Sequence, residues 1–271
     1  MTAIILAAGK SRRINLTLSE KKKKEFLSQI KSFLPDLSLP PDNSFPKVLL
    51  PLGDKPLIGY ILARIKELGV ERAIIVINPD FNLVREVVER ITIRPQVEFV
   101  YQKKPLGTGD ALRSCVDRLK GGDVLTLCGD TPLLKASTLF GLYQTFKAKN
   151  CDLILLSAIL ANPYGYGRIV RSDGGLNIIE ERDADKKVKD ICEVNAGVYL
   201  FRWQKVAPLL NEIKPSGDPP EYYLTDLVRL LQEKGGRVEV FTTSDQSEIL
   251  GVNTEKDYRI VRALWQSAIG S

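Results

Sequence analysis

Five short apolar runs with helical patterns between most of them constrain the fold of this chain more than any other feature. The runs cover residues 3–6, 73–77, 97–101, 124–127 and 153–160. Strands this apolar are usually buried on both faces of a parallel sheet. Apolar residues at helical spacing over 57–68 and 83–88 indicate helices that cover such a sheet. The pattern predicts a doubly wound, mostly parallel, Rossmann-like α/β fold.

After residue 160 the sequence changes to shorter strand candidates that polar turns separate. They cover residues 168–171, 175–181 and 196–202, and a further strand is predicted at 237–242. The three shorter runs predict a smaller mixed sheet beside the first one. We expect one domain over 1–271, with halves at about 1–160 and 161–253 and a closing helix at 254–268.

Residues 14–44 interrupt the first loop and form an insertion. Ser19 is a candidate N-cap of a helix. The apolar residues on one face of that helix are Phe26, Leu27, Ile30, Phe33 and Leu34. Three prolines then predict an extended return: Pro35, Pro40 and Pro41. The favoured interpretation is a surface excursion docked by its apolar face, and a lid over the site is the alternative. One turn of lysines on a short helix is a marginal membrane anchor.

The absence of histidine excludes several kinds of chemistry. A chain with no histidine cannot use a Ser-His-Asp or Cys-His hydrolytic mechanism or His-ligated zinc. The cysteines form no C-x-x-C pair, so neither a zinc site nor a disulfide framework is expected; they are Cys115, Cys128, Cys151 and Cys192. The reaction has to use carboxylates, lysines or a metal with oxygen ligands.

The net charge of +6 fits small phosphorylated substrates or an acidic macromolecule. Much of the excess lies in the lysine run 21–24, which alone is a weak sign of nucleic-acid binding, and no nucleic-acid partner is expected. No apolar run approaches the roughly 18 residues that span a bilayer. The N-terminus opens with a strand rather than a leader. We expect a cytoplasmic protein with no membrane partner; a homo-oligomer is compatible with the sequence but not indicated by it.

The first strand ends in Leu6-Ala7-Ala8-Gly9-Lys10, which puts small residues and backbone N–H groups at the carboxyl edge of the sheet. Neither the Rossmann nor the Walker spacing is present, so this fragment alone fits an ordinary tight turn equally well. Arg13 and Lys47 can offset the charge of a triphosphate. The fragment gains meaning only from the motifs that follow it.

An ordered set of such motifs resembles the sugar-nucleotide pyrophosphorylases. Its members are Leu6 to Arg13, Pro46 to Leu49, Gln102-x4-Gly107-Thr-Gly109, Gly129-Asp130, Gly165-Tyr-Gly-Arg168 and the segments 179–184, 193–197, 221–226 and 251–253. The resemblance is closest to the N-terminal uridylyltransferase domain of GlmU and covers nearly the whole chain apart from the insertion. It implies Mg²⁺-assisted transfer of a uridylyl group from UTP to N-acetylglucosamine 1-phosphate, with release of pyrophosphate.

The resemblance implies a nucleotide site and a Mg²⁺ site. The residues implied to bind the nucleotide are Leu6, Ala7, Ala8, Gly9, Gln102, Gly107 and Thr108. The amide of Gln102 both donates and accepts, which suits a pyrimidine edge. Asp130 and Asn253 are implied as metal ligands, in keeping with Mg²⁺ sites that take few protein oxygens beside substrate phosphates. The implied catalytic residues are Arg13, Lys47 and Asp130.

The implied sugar-phosphate site consists of Gly167, Glu180, Asn195 and Thr225. Glu180 can accept hydrogen bonds from sugar hydroxyls, and Asn195 can bond a hydroxyl or an acetamido group. Arg168 and Arg182 are further candidates for phosphate contact. Singly, each of these residues has a plainer interpretation, for example Glu180 as a solvated residue of an exposed strand face.

Two departures from the family pattern leave substrate choice open. The usual Gly-x-Gly-Thr-Arg stretch reads Gly9-Lys-Ser-Arg-Arg13, so Ser11 and Arg12 replace a flexible residue and a hydroxyl. Cys128 precedes Gly129-Asp130 where a larger aromatic or polar residue is frequent. Another sugar 1-phosphate, such as glucose 1-phosphate, another nucleotide, a non-catalytic nucleotide-sugar binder and nucleic-acid binding through 21–24 are the alternatives.

GlmU proteins continue into a left-handed β-helix of hexapeptide repeats that carries an acetyltransferase activity. No such repeats occur in these 271 residues, so we do not expect that activity here. The sequence fits either a stand-alone uridylyltransferase or the part of a longer protein that precedes a second domain.

Overall fold

The computed structural model describes residues 1–33, 35, 45–91, 95–172 and 175–269. The strands are β1 (Thr2–Ala7), β2 (Pro51–Leu52), β3 (Lys55–Pro56), β4 (Arg72–Ile77), β5 (Gln96–Tyr101), β6 (Asp123–Cys128), β7 (Leu153–Ile159), β8 (Arg168–Ser172), β9 (Gly175–Ile179), β10 (Glu193–Arg202) and β11 (Val238–Thr243). The α-helices are α1 (Arg12–Thr17), α2 (Glu20–Phe33), α3 (Leu57–Glu67), α4 (Asn82–Ile91), α5 (Thr108–Arg113), α6 (Ala136–Ala148), α7 (Lys186–Lys189), α8 (Trp203–Val206), α9 (Asp226–Glu233) and α10 (Glu255–Ile269). Over these residues, no helix combines the length and apolarity needed to cross a membrane.

The central sheet has the strand order β11-β7-β10-β6-β1-β4-β5. β1 runs parallel to β4 and β6, β4 runs parallel to β5, and β11 runs parallel to β7. β10 lies antiparallel between β6 and β7. The carboxyl ends of β1, β4, β5, β6 and β7 therefore meet at one edge, together with the amino end of β10. The predicted Rossmann-like α/β class is confirmed.

Helices cover both faces of this sheet, which explains why its strands are apolar without alternation. Successive side chains of a strand point to opposite faces. Ile5 and Ile75 belong to one buried cluster, Ile4 and Ile74 to the other, and all four have 0% exposure. A strand that buries both faces cannot carry a polar residue at alternate positions without leaving it unsolvated.

The shorter strands differ from the separate small sheet that we predicted. β8 and β9 form a hairpin in which Arg168 pairs with Ile179 and Ser172 with Gly175. This hairpin joins the central sheet through the pair Val194–Arg168. β10 is long enough to run within the central sheet and also to pair with β8 at its amino end, so the small strands extend one continuous sheet.

The described part of the insertion is docked on the body by the apolar face of α2. Phe26, Leu27 and Ile30 are buried, and the Phe26 ring lies 5.2 Å from that of Tyr258 on α10. Ser19 Oγ accepts from the Lys22 N–H at 3.3 Å, which confirms the predicted cap. The side chain of Phe33, Leu34 and the predicted return through Pro40 and Pro41 lie outside the described residues. The docked excursion, rather than membrane binding, accounts for the apolar stripe.

Candidate active site

Two cations and two oxygen-bearing side chains meet where β1 and β6 end. Lys47 Nζ donates to Asp130 Oδ2 and, at 2.8 Å, to Asn253 Oδ1. Arg13 Nη2 donates to the same Asn253 oxygen at 3.0 Å. The Val252 N–H donates to the Asp130 carbonyl at 3.0 Å, which ties the two acceptors together through the backbone. Residues far apart in the chain thus form one polar cluster, which we call the phosphate-end cluster: Arg13, Lys47, Asp130 and Asn253.

The loop after β1 lies beside this cluster. Ala7 and Ala8 are each 5% exposed, whereas Gly9 is exposed and an added Cβ there would meet no atom within 4 Å. The Gly129 N–H donates to the Leu6 carbonyl at 3.0 Å, so the ends of β1 and β6 are held together. The small residues leave open space above the sheet edge, where a ligand can approach the backbone.

Ser11 positions Lys47. Its backbone is in the left-handed region with a φ of 53°, a conformation that costs a non-glycine residue on the order of 1 kcal/mol. The Ser11 hydroxyl accepts from the Lys47 N–H at 2.9 Å. The hydroxyl at this departure from the family pattern therefore organises the phosphate-end cluster from beneath.

A reciprocal cap fixes Asn253 at the start of α10. Asp257 Oδ2 accepts from the N–H groups of Asn253 at 3.1 Å and of Thr254 at 2.8 Å. The Asp257 N–H donates back to Thr254 Oγ1 at 3.2 Å. Our sequence analysis missed Asp257, although the Thr-x-x-Asp spacing of a capping box was present to indicate it.

The oxygens of Asp130 and Asn253 suit a hard cation. Both accept from the same Lys47 ammonium, so they converge on one position that a positive charge already fills. Mg²⁺ prefers six oxygen ligands and often takes only one or two from the protein. In the described ranges no group of three or more His, Cys, Asp or Glu side chains could hold a metal. These two residues fit a metal that obtains its other ligands from phosphate and water.

At the end of β5, Gln102 is 4% exposed and its amide is bound from two sides. Nε2 donates to the Gly107 carbonyl at 3.0 Å and to Asp110 Oδ2 at 2.8 Å. The predicted base contact therefore has the Gln102 oxygen available, while the donors are engaged. Our sequence analysis also missed Asp110, since no local motif links it to Gln102.

The turn at 107–109 packs directly against the segment that leads to Thr225. Gly107 has a φ of +106°, and an added Cβ would lie 2.5 Å from the Tyr222 carbonyl oxygen. The Gly109 N–H donates to that same oxygen at 2.8 Å. Thr108 Oγ1 accepts from the Leu224 N–H at 3.0 Å. The predicted base contacts of Gly107 and Thr108 stay predictions, and both residues have a structural task as well.

The four residues predicted to bind the sugar phosphate lie together. Glu180 Oε1 accepts from Thr225 Oγ1 at 2.9 Å, and an added Cβ on Gly167 would be 3.4 Å from Glu180 Oε2. The Asn195 N–H donates to the Gly167 carbonyl at 2.9 Å. Burial raises the pKa of Glu180 above that of an ordinary glutamate. This group, which we call the sugar-end cluster, combines a desolvated carboxylate with an amide and a backbone that lacks a side chain.

Cys128 connects the two clusters. It precedes Gly129-Asp130 at the end of β6, and its Sγ would lie 3.2 Å from a Cβ added to Gly197. The Gly197 N–H in turn donates to Asn195 Oδ1 at 3.0 Å. Burial raises the pKa of Cys128 to about 12, so the side chain is a neutral thiol near pH 7.

Arg168 does not contact phosphate as expected. It is 1% exposed, and its guanidinium donates to Glu181 Oε2 at 2.7 Å. A guanidinium this deep is a structural ion pair that fixes the hairpin of β8 and β9. Arg182 lies 3.1 Å from Glu221 and stays partly exposed.

Two residues of the lysine run 21–24 make local ion pairs. Lys22 pairs with Glu255 at the start of α10, and Lys23 pairs with Glu20 at 2.7 Å. Part of the charge that suggested a nucleic-acid surface is thus engaged within the protein, and the Lys22 pair ties α2 to the helix next to Asn253.

Comparisons with known proteins agree with this arrangement. The family model described as the MobA-like NTP transferase domain matches residues 3–168. The bifunctional protein GlmU of Thermosynechococcus vestitus is 38% identical over 215 residues, which cover 78% of this chain and 46% of that protein. The GlmU of Heliobacterium modesticaldum is 33% identical over 99% of this chain and 52% of its own length.

The chain thus spans about half the length of the curated relatives it matches. A solved structure described as a glucose-1-phosphate thymidylyltransferase from Bacillus anthracis shares the fold, with a TM-score of 0.72 over 98% of this chain and 95% of that one at 20% identity. Because the family model covers more than half of the chain, this protein belongs to the MobA-like NTP transferase domain family of nucleotidyltransferases.

Proposed function

We propose that this protein transfers a uridylyl group from UTP to a sugar 1-phosphate, with N-acetylglucosamine 1-phosphate as the first candidate, in the cytoplasm. The observation that carries the proposal is the phosphate-end cluster, in which Lys47 bridges Asp130 and Asn253 and Arg13 bonds the latter. This cluster lies on the sheet edge that also carries Gln102, at the end of β5. The GlmU relatives support uridylyl transfer and an acetamido sugar.

The chemistry asks little of the protein beyond placement and charge. A sugar phosphate oxygen is anionic near neutral pH and attacks the α-phosphorus of the nucleotide in line. The new bond joins that oxygen to the α-phosphorus, and the bond to the bridging oxygen breaks as pyrophosphate leaves. No general base is required, which agrees with a chain that has no histidine. Lys47 and Arg13 would offset the negative charge that gathers on the phosphates.

Asp130 and Asn253 would hold Mg²⁺ together with the phosphates of the nucleotide. The bound ion would neutralise phosphate charge and polarise the phosphorus centre. Lys47 presently bonds both of these residues, so its ammonium has to share or leave them when the ion and the phosphates arrive. A lysine is suited to this exchange because its stem is flexible and its charge is compact.

The sugar-end cluster would orient the acceptor. Glu180 would accept from sugar hydroxyls, Asn195 would bond the acetamido group or a hydroxyl, and Gly167 and Thr225 would line the same wall. Glucose 1-phosphate and a thymidine nucleotide are the competing substrates, since the fold is shared with a protein described as a glucose-1-phosphate thymidylyltransferase.

Asp130→Asn tests this proposal. The amide keeps the shape of the side chain but removes the charge that a hard cation requires. We expect turnover to fall by about a thousandfold or more, measured as pyrophosphate release with UTP and N-acetylglucosamine 1-phosphate. UTP binding should persist within about tenfold, because Gln102 and the backbone of residues 6–9 still contact the nucleotide. The exposed Asp117→Asn is the matched control and should retain full activity.

A panel of four nucleoside triphosphates and several sugar 1-phosphates assigns the substrates in the same assay. Activity with UTP and another sugar would change only the acceptor. Binding of UTP without turnover by the unmodified protein, with every sugar phosphate, would contradict the enzymatic proposal and favour a nucleotide-sugar binder.

A further inference from the structure

The amide of Gln102 has only one orientation that its surroundings accept. Both hydrogens of Nε2 are directed at oxygen atoms, the Gly107 carbonyl at 3.0 Å and Asp110 Oδ2 at 2.8 Å. Rotating the amide by half a turn would place the carbonyl oxygen against these two acceptors. Two hydrogen bonds would be lost and two acceptor pairs would repel, so the flipped state is strongly disfavoured.

The Gln102 oxygen is left as the free end of the amide. No donor in the described part of the chain reaches it, and it is not one of the three buried side-chain atoms there that lack a partner, which are Thr126 Oγ1, Arg168 Nε and Tyr199 Oη. The oxygen is therefore open to a ligand at the end of β5. It can only accept a hydrogen bond.

We propose that Asp110 is a positioning residue that sets base specificity, because it fixes Gln102 as an acceptor toward the base. This inference rests on the proposed function, which places the nucleotide base at Gln102. A fixed acceptor selects a base that offers an N–H at this point. Uracil and thymine carry such a donor at N3, whereas cytosine carries an unprotonated N3 acceptor there. The site would thus favour the imide edge and reject cytosine.

The surroundings of Asp110 favour a carboxylate over an amide at this position. Arg113 Nη1 lies 3.7 Å from Asp110 Oδ1. Arg113 is itself anchored, since it donates twice to the Leu210 carbonyl at 3.1 and 2.6 Å and stacks 4.5 Å from the Tyr222 ring centroid. One carboxylate oxygen faces a cation and the other faces the amide hydrogens of Gln102. An asparagine would have to direct its own NH₂ at one of these donors.

Asp110→Asn therefore releases the amide of Gln102 at nearly constant shape. The NH₂ of the new side chain would turn away from Arg113 and toward Gln102, whose amide can then flip and present hydrogens to the base. We expect the dissociation constant of UTP to rise about tenfold and the preference for UTP over CTP to fall at least about tenfold, which corresponds to one hydrogen bond in each case. The measurement is calorimetric titration of the full chain with UTP, dTTP and CTP in the presence of Mg²⁺.

The control is Asp117→Asn, the same chemical change at an exposed position seven residues along the chain. It should leave both dissociation constants and their ratio unchanged. In turnover assays, Asp110→Asn should raise KM for UTP and alter kcat by less than about twofold, since a base contact is equal in the ground and transition states. A merely structural role would weaken UTP and CTP equally and lower the thermal midpoint.

An unchanged ratio of UTP to CTP affinity in Asp110→Asn would overturn the inference. If that variant does not fold, Asp110→Ala removes the same acceptor, and the same fall in preference is expected. The binding ratio and the turnover separate the two proposals. Loss of selectivity without turnover by the unmodified protein refutes only the enzymatic function, and turnover with unaltered selectivity in the variants refutes only the role of Asp110.

Discussion

At the residue scale, burial gives Glu180 properties that its exposed counterparts lack. Its carboxylate accepts from Thr225 and lies next to Gly167, and desolvation raises its pKa. A raised pKa means that the carboxyl group takes up its proton at a higher pH than an ordinary glutamate, near 4.3. Protonation would turn an acceptor of sugar hydroxyls into a group that can also donate.

We predict that KM for the sugar 1-phosphate rises as pH falls through this raised pKa, while KM for UTP does not follow the same curve. The comparison is KM against pH in the unmodified protein and in Glu180→Gln. The phosphate of the substrate titrates identically in both, so it serves as an internal control. The variant should have a higher KM at neutral pH and should lack the acid limb attributable to Glu180. Parallel profiles for the two proteins would contradict this role.

Residues within contiguous motifs could be predicted from the sequence, and residues that act through folded contacts could not. Gln102, Asp130 and Asn253 stand in recognisable local patterns. Asp110 lies eight residues beyond Gln102 with no periodic relation to it, and only the turn at 107–109 brings its carboxylate to the amide. Arg168 was assigned to phosphate because its charge was visible, while its 1% exposure was not.

At the element scale, α2 is held by a small number of buried aromatic contacts. The Phe26 ring lies 5.2 Å from Tyr258 on α10 and 6.5 Å from Phe45. Phe45 is two residues before Lys47, and Tyr258 is five residues after Asn253. The docking of α2 therefore supports the two segments that supply the phosphate-end cluster.

We predict that Phe26→Ala lowers the free energy of unfolding by about 3 kcal/mol, since it removes a buried ring and leaves a cavity. Urea denaturation followed by circular dichroism measures this change. Lys24→Ala, on the exposed side of the same helix, is the control and should change the free energy by no more than about 0.5 kcal/mol. Equal effects of the two substitutions would show that α2 is not packed as described.

Strands that bury both faces were predictable to within one or two residues, and β10 was less so. We expected its start at residue 196, whereas it begins at Glu193. Glu193 is polar but satisfied, because Ser157 and Arg171 donate to its carboxylate. Partners on two neighbouring strands make a polar residue compatible with a sheet, and a periodicity argument cannot include partners that are distant in sequence.

At the scale of the whole molecule, one sheet edge collects the groups for base, phosphates and sugar. The segment around Tyr222 joins the base end to the sugar end, because Gly109 donates to Tyr222 and Thr225 donates to Glu180. We propose that residues 1–160 form the nucleotide half and residues 161–253 the sugar part. Tight packing between them would hold the two substrates in register for in-line attack.

Phosphorus NMR of the protein with UTP, N-acetylglucosamine 1-phosphate and Mg²⁺ tests the central claim most directly. The account predicts that the signals of both substrates decline together and that UDP-N-acetylglucosamine and pyrophosphate grow in equal amounts. Asp130→Asn should leave the substrate signals unchanged over the same period. Release of inorganic phosphate in place of pyrophosphate, or persistence of all substrate signals with the unmodified protein, would contradict the account.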